Sequence, residues 1–186
     1  GRTSGDQGAN VDAMDSVLQT GITQYYAFSL TGVSERGNYR VSAGYFDQTG
    51  IIQKSGLRKY NGAFKGSFKF LKNDRLKVDV NLIASQNNQQ FAPVSNNAGF
   101  EGSLIGRALQ WNPTQALTIN NSKDYDQTGF NPLALLDAFD GFYNNTRLLA
   151  SIAPTVNIVE GHDYRFQYSV DANKGVTGNQ IQSFLN

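Results

Sequence analysis

Side chains able to do acid–base, nucleophilic or metal chemistry are few and scattered along this sequence. His162 is the single histidine, and there is no cysteine. Lacking imidazole, thiolate or carboxylate partners at ligand spacing, His162 reads as a solvated turn residue. Asp124-Tyr125-Asp126-Gln127-Thr128-Gly129 imitates the opening of a calcium loop, but Leu135 stands at the twelfth position, where a bidentate glutamate is needed. There is no Ser-His-Asp set, nucleophile elbow or phosphate loop. The sequence therefore predicts no catalytic residues, no metal and no cofactor. What remains is binding chemistry. Trp111, Tyr125 and Phe130 could stack on sugar rings and are the candidate ligand contacts, although such residues more often anchor a loop's own small core. Arg40, Lys65, Lys69, Lys77, Arg147 and Arg165 are the candidate charged surface.

Composition narrows the setting of those residues. The formal net charge of +1 over 186 residues gives no nucleic-acid signal. Absence of cysteine excludes a disulfide framework. Aromatics reach 12%, yet no apolar run approaches the ~18 residues of a transmembrane helix. Membrane-spanning strands reconcile the two properties, because they show an apolar residue to lipid only at every second position. Gly1 to Asn10 has no apolar signal-peptide core, so the chain reads as starting in the middle of a longer one.

The elements that would position the cations alternate with period two. Segments 24–33, 38–46, 58–71, 76–86, 145–159 and 164–173 each place apolar and polar residues on opposite faces. In the third, Tyr60, Phe64, Phe68 and Phe70 oppose Lys65 and Lys69; in the sixth, Tyr164, Phe166 and Tyr168 oppose Arg165 and Asp171. All six cations fall on the polar face, with Asp79 and Asp171 as its carboxylates. Pro154 predicts a bulge or irregularity in the fifth strand. Links between strands run short, long, short, long, short, as in membrane barrels with tight periplasmic turns and long extracellular loops. Within the longest, 87–141, helical spacing covers Phe100 to Trp111 and Pro132 to Phe139.

The expected fold is all-β: about six strands of an antiparallel transmembrane barrel, with a long extracellular loop containing short helices. Expected boundaries are a loop or linker at 1–23, four strands in 24–91, the long loop at 92–141, two strands in 142–175 and the start of another loop at 176–186. Under this reading the cations form a lumen-facing basic wall, able to pair with carboxylates or attract an anionic solute; ordinary ion pairing is their commoner role. The alternative is a self-contained β-sandwich or small barrel serving as an adhesin or carbohydrate-binding module. In that fold the Tyr/Phe stripe would be buried against a second sheet of the same chain.

One long block is more specific than alternation. Gly32-Val33-Ser34-Glu35-Arg36-Gly37-Asn38-Tyr39-Arg40-Val41-Ser42-Ala43-Gly44-Tyr45-Phe46-Asp47-Gln48-Thr49-Gly50-Ile51-Ile52 resembles the early barrel of the SusC-like TonB-dependent transporters of Bacteroidetes. Arg107 to Thr114 and Asn131 to Leu136 resemble that family's later loop, so the likeness runs from about residue 11 to 175. Asp12-Ala13-Met14-Asp15-Ser16 departs from the family, which usually carries a tryptophan there. The resemblance implies a bacterial outer-membrane importer of oligosaccharides or peptides, with a SusD-like surface lipoprotein as partner and TonB acting through a plug domain absent from this sequence. It also implies a barrel of about 22 strands. About six strands cannot close around a plug, and an open edge is not tolerated in lipid, so the chain is expected to be one piece of a larger wall.

Overall fold

Alternation over long segments produces long antiparallel strands. The computed structural model describes residues 7–94, 103–118 and 131–181. Seven strands form one open sheet: β1 (Thr23–Ser34), β2 (Gly37–Thr49), β3 (Gly56–Phe70), β4 (Leu76–Phe91), β5 (Phe139–Val159), β6 (His162–Arg165) and β7 (Tyr168–Ile181). Consecutive strands are neighbours from β1 to β5, and both β6 and β7 pair with β5. The ladder from β1 to β5 is free of slips: Tyr26 lies opposite Tyr45, Tyr45 opposite Tyr60, Tyr60 opposite Gln86 and Gln86 opposite Thr146. Directly opposed residues share a face. The period-two pattern of each strand is therefore carried across the whole sheet.

Strand ends lie further out than alternation predicted. β4 continues to Phe91 and β5 begins at Phe139, because Asn87, Asn88, Gln89 and Gln90 hold the ladder without an apolar signal. The expected sixth strand is two, β6 and β7, and Pro154 explains the division. Phe166 N donates to Pro154 O at 3.0 Å, but proline has no N–H with which to complete the reciprocal bond. On its other side Pro154 stays in register with Val78. The same register also relates Thr155 to Arg165 and Ile152 to Tyr168. So Pro154 removes one rung and leaves the alignment intact; the register shift itself lies between Asn157 and Val159.

Connections segregate by end. Glu35-Arg36, a 3-10 turn at Lys72–Asp74, and Glu160-Gly161 close one end of the sheet. Asn73 and Asp74 take left-handed backbone angles in the middle turn (φ 61° and 55°), which asparagine and aspartate tolerate best after glycine. At the other end three short helices pack together: α1 (Ala13–Val17), α2 (Leu104–Gln110) and α3 (Pro132–Ala138). Each is too short to persist alone in water. Their core includes Val17 and Leu104, both fully buried, with Ala108, Leu117, Leu135 and Leu136. Asp12 caps α1, accepting from Met14 N at 2.9 Å, and Ser103 caps α2. Buried Asn131 caps α3 through Oδ1 while its Nδ2 donates to Leu117 O at 2.8 Å. Gln53 Nε2 and Gln19 Nε2 tie α1 to the β2–β3 link. Lys54 Nζ reaches Leu136 O at 3.0 Å, Asp137 O at 3.1 Å and the Asp137 carboxylate.

Replacing Pro154 with valine supplies the missing donor. The expected result is a single strand through 162–181 and a gain of about 1 kcal/mol, read as a higher urea midpoint. A lower midpoint would show that the proline does more than remove a bond.

Candidate functional site

The faces that the register creates are chemically opposite. On one, successive rows across the sheet read Phe28, Ala43, Gly62, Ala84, Leu148, Ala172; then Leu30, Val41, Phe64, Leu82, Ala150, Val170; then Gly32, Tyr39, Gly66, Val80, Ile152, Tyr168. The face remains apolar through Phe70, Leu76, Val156 and Tyr164. No second sheet covers it among the described residues, and Tyr26, Phe28 and Phe166 remain 61%, 62% and 66% exposed. A sandwich would bury this stripe, so that alternative has no support. Gly32 permits one close approach: a Cβ there would lie 2.4 Å from the ring of Tyr39.

On β1, β2 and β3 the apolar face has a sharp upper border. Tyr26, Tyr45 and Tyr60 form a row with ring centroids 6.3 Å and 5.2 Å apart. The next row toward the helices is Gln24, Asp47, Arg58, Asn88, Asn144 and Val176. In it Arg58 Nε meets Asp47 Oδ2 at 3.3 Å, and the Tyr45 hydroxyl donates to the same carboxylate at 2.8 Å. On β1 to β3 apolar side chains thus give way to a polar girdle within one row, whereas on β4, β5 and β7 the tyrosine row is already polar, as Gln86, Thr146 and Lys174.

The opposite face holds all six cations named from the sequence. Arg40 lies directly opposite Lys65, Lys69 opposite Lys77, and Thr155 opposite both Lys77 and Arg165. Arg147 lies opposite Ser85 and Asn173. Three of them have carboxylates: Lys69 with Asp74 at 2.9 Å, Lys77 with Asp79 at 3.3 Å, and Arg147 with Asp171 through two bonds of 3.0 and 2.6 Å. These pairs are exposed or half-exposed, so screening keeps their worth small. Among the described residues no carboxylate comes within ion-pair distance of Arg40, Lys65 or Arg165. Those three share a cleft of about 510 Å³ with Thr31, Asn81, Ser151 and Gln167. Nearer the helices the same face carries Asn61, Asn87, Gln48 and Gln89.

The aromatic candidates fare differently. Trp111 is only 9% exposed; it belongs to the helical core, and its Nε1 donates to Gln115 O at 2.9 Å. Its ring faces are taken up by packing, so here it anchors the loop cluster. Tyr125 and Phe130 lie outside the described residues, as does most of the calcium-like stretch. A cleft that single-residue reasoning missed lies where the cluster meets the sheet. It measures about 540 Å³ and is lined by Thr23, Gln48, Ile51, Leu57, Gln89, Phe91 and Val94, among others. Only the pairing of β1 to β4 brings these residues together, so no local motif announces it. Among the described residues no cluster of His, Asp or Glu could hold a metal ion.

The side chain of Trp111, the single tryptophan, provides a direct check. Its fluorescence is expected to resist acrylamide and to stay unchanged when oligosaccharide or peptide is added. Strong quenching, or a ligand-induced shift, would return the indole to the surface.

Comparison with known proteins agrees with this geometry. No family model matches the chain. It is 30% identical over 121 residues to the TonB-dependent receptor SusC of Bacteroides thetaiotaomicron, covering 65% of this chain and 11% of SusC. A TonB-dependent receptor of Formosa agariphila is 30% identical over 128 residues, covering 63% of this chain and 12% of the relative. The chain thus spans about a tenth of the length of the curated relatives it matches. In structure it superposes on the RagAB peptide importer in its closed-closed state with TM-score 0.65 and 19% identity, covering 94% of this chain and 20% of that one. The open-open state gives TM-score 0.64 and 18% identity over 90% of this chain and 19% of that one. At such identity the likeness speaks for the fold: an open seven-stranded sheet matching part of a larger protein. The chain is similar to SusC/RagA-type TonB-dependent receptors, as the Gly32–Ile52 block suggested.

Proposed function

We propose that this chain is part of the wall and extracellular loops of a TonB-dependent outer-membrane importer of the SusC/RagA type. The carrying observation is the apolar face, exposed on both sides of its midline and bordered by tyrosines. Tyr60 and Phe70 lie ten residues apart on β3. At ~3.4 Å per residue and a tilt of ~40° they are separated by ~26 Å along the membrane normal. A lipid-facing band of an outer-membrane barrel is about 25 Å tall. The Tyr26–Tyr45–Tyr60 row then sits at the outer interface, with Arg58 and Asp47 among headgroups. The tight turns face the periplasm and the three-helix cluster faces outside.

In this reading the polar face lines the aqueous interior, and the importer binds and passes a nutrient without chemistry. Oligosaccharides or peptides are the substrates, and a SusD-like lipoprotein covers the outer mouth; the RagAB complex supports the peptide option by fold alone. The cleft where the cluster meets the sheet replaces Trp111 as the first contact for such a solute. Gln48 and Gln89 offer amides there, and Phe91 an apolar surface. TonB acts through segments of the receptor outside this chain.

The wall reading is tested at mid-depth. Spin labels on Phe64→Cys and Lys65→Cys, adjacent residues of β3, should respond to opposite reagents: the first to lipid-dissolved oxygen, the second to a water-soluble nickel chelate. Phe64→Arg should destabilise the barrel by about 2–4 kcal/mol, while Lys65→Gln costs far less. A Phe64 label shielded from lipid would sink the assignment.

A further inference from the structure

The tyrosine row that borders the apolar face stops halfway across the sheet. At the level of Tyr26, Tyr45 and Tyr60, the next three strands carry Gln86, Thr146 and Lys174, all exposed. Polar groups thus reach one row deeper on β4, β5 and β7 than on β1 to β3. Gln86 Nε2 donates to Asn88 Oδ1 at 3.3 Å, which joins this notch to the polar row above it. On the same face, toward the helices, lies a cleft of about 400 Å³ whose lining includes Arg58, Asn88, Asp140 and Asn144. That volume falls within the ~300–1,000 Å³ of small-molecule sites. Beneath the notch the side chains are small: Gly62, Ala84 and Ala172 share the row of Leu148. A Cβ on Gly62 would meet nothing within 4 Å.

One strip of the surface therefore passes through three chemistries: a shallow apolar seat, a cation at its border, then a cleft of amides and carboxylates. Among the described residues no carboxylate comes within ion-pair distance of Lys174. A lysine at a membrane border can simply extend its amine to water. That accounts neither for the glutamine and threonine that replace tyrosine beside it nor for the cleft above.

We propose that β4, β5 and β7 hold, on the lipid side of the wall, one phosphorylated glycolipid of the outer leaflet. The site rests on the reading that the apolar face meets lipid. Lys174 meets the phosphate as a point charge. Asn88 and Asn144 each offer donors and an acceptor to sugar hydroxyls, and the Asp140 carboxylate accepts from them. The acyl chains lie over Gly62, Ala84 and Ala172. Charge selects this occupant. An uncompensated cation at the apolar border suits an anionic group on a lipid, whereas Asp140 higher in the cleft repels a second phosphate and suits a neutral, hydroxylated group.

The test uses the full-length receptor, stripped of lipid and placed in phosphatidylcholine nanodiscs with or without diphosphoryl lipid A, a phosphorylated glucosamine lipid. Native mass spectrometry of the re-extracted receptor counts retained lipid A, and acetylation reports access to the Lys174 amine. One retained molecule and several-fold slower acetylation of Lys174 are expected. Lys174→Gln, and Asn88→Ala with Asn144→Ala, should each reduce retention several-fold, while Lys65→Gln on the opposite face leaves it unchanged. Heat-modified gel migration verifies that each variant keeps its barrel. Retention indifferent to both site variants overturns the proposal. So does equal protection of Lys174 by phosphatidylglycerol, which carries charge without the sugar, or by inorganic phosphate. Protection of Lys174 in lipid-free detergent also overturns it, because polypeptide would then cover the amine. If the Phe64 label reports lipid and lipid A is still not retained, the glycolipid site fails and the wall stands.

Discussion

A backbone amide surrounded by hydrocarbon can find a partner only on the neighbouring strand, and the rest of this structure follows from that restriction. The ladder from β1 to β5 is unbroken over strands of 12 to 21 residues. Register does double duty here. A slip of one residue would carry Phe28 and Phe64 to the polar side and bring Lys65 and Arg40 to the apolar side. The penalty for one such error would be multiplied across every row. Two properties that look independent, continuous pairing and two-faced chemistry, are therefore one constraint.

Even the irregular points respect it. Pro154 removes a hydrogen bond toward β6 and β7 but not the alignment, so Tyr164 and Tyr168 keep the apolar face on either side of the gap. Glycines opposite large rings serve the same end: Gly32 leaves space for Tyr39, and Gly178 for Phe142. The ring in each case covers backbone that a side chain would otherwise shield. The helical cluster works by different rules. Its helices are built on caps and a small apolar core, as in a water-soluble domain, and it occupies only the end where the long connections emerge.

Much of the sheet was legible in the sequence, because alternation of Tyr, Phe, Leu and Val with polar residues is a one-dimensional record of a two-faced surface. The six cations share a face for the same reason. Strand ends were harder to read: Asn87 to Gln90 extend β4 with no apolar alternation to mark them. The short helix α1 was missed altogether, although Asp12 as a cap with Ala13 and Val17 one turn apart was a readable signal. Trp111 as a core anchor could not be told from Trp111 as a binding platform, since that depends on Val17, Ala92 and Leu135 arriving from distant parts of the chain. The cleft beside Gln48, Gln89 and Phe91 was invisible for the same reason.

Asn131 joins two places that the chain separates. Its amide fastens α3 to Leu117 O, while its carbonyl oxygen starts the helix. Whatever runs between positions 117 and 131 is thus clasped at its base, and the cost of closing that span grows only slowly with its length. Loss of its side chain would act at two sites at once, taking one partner from the first turn of α3 and one from the Leu117 carbonyl. A single asparagine in this way makes the start of one helix and the fixing of a distant backbone carbonyl a single event.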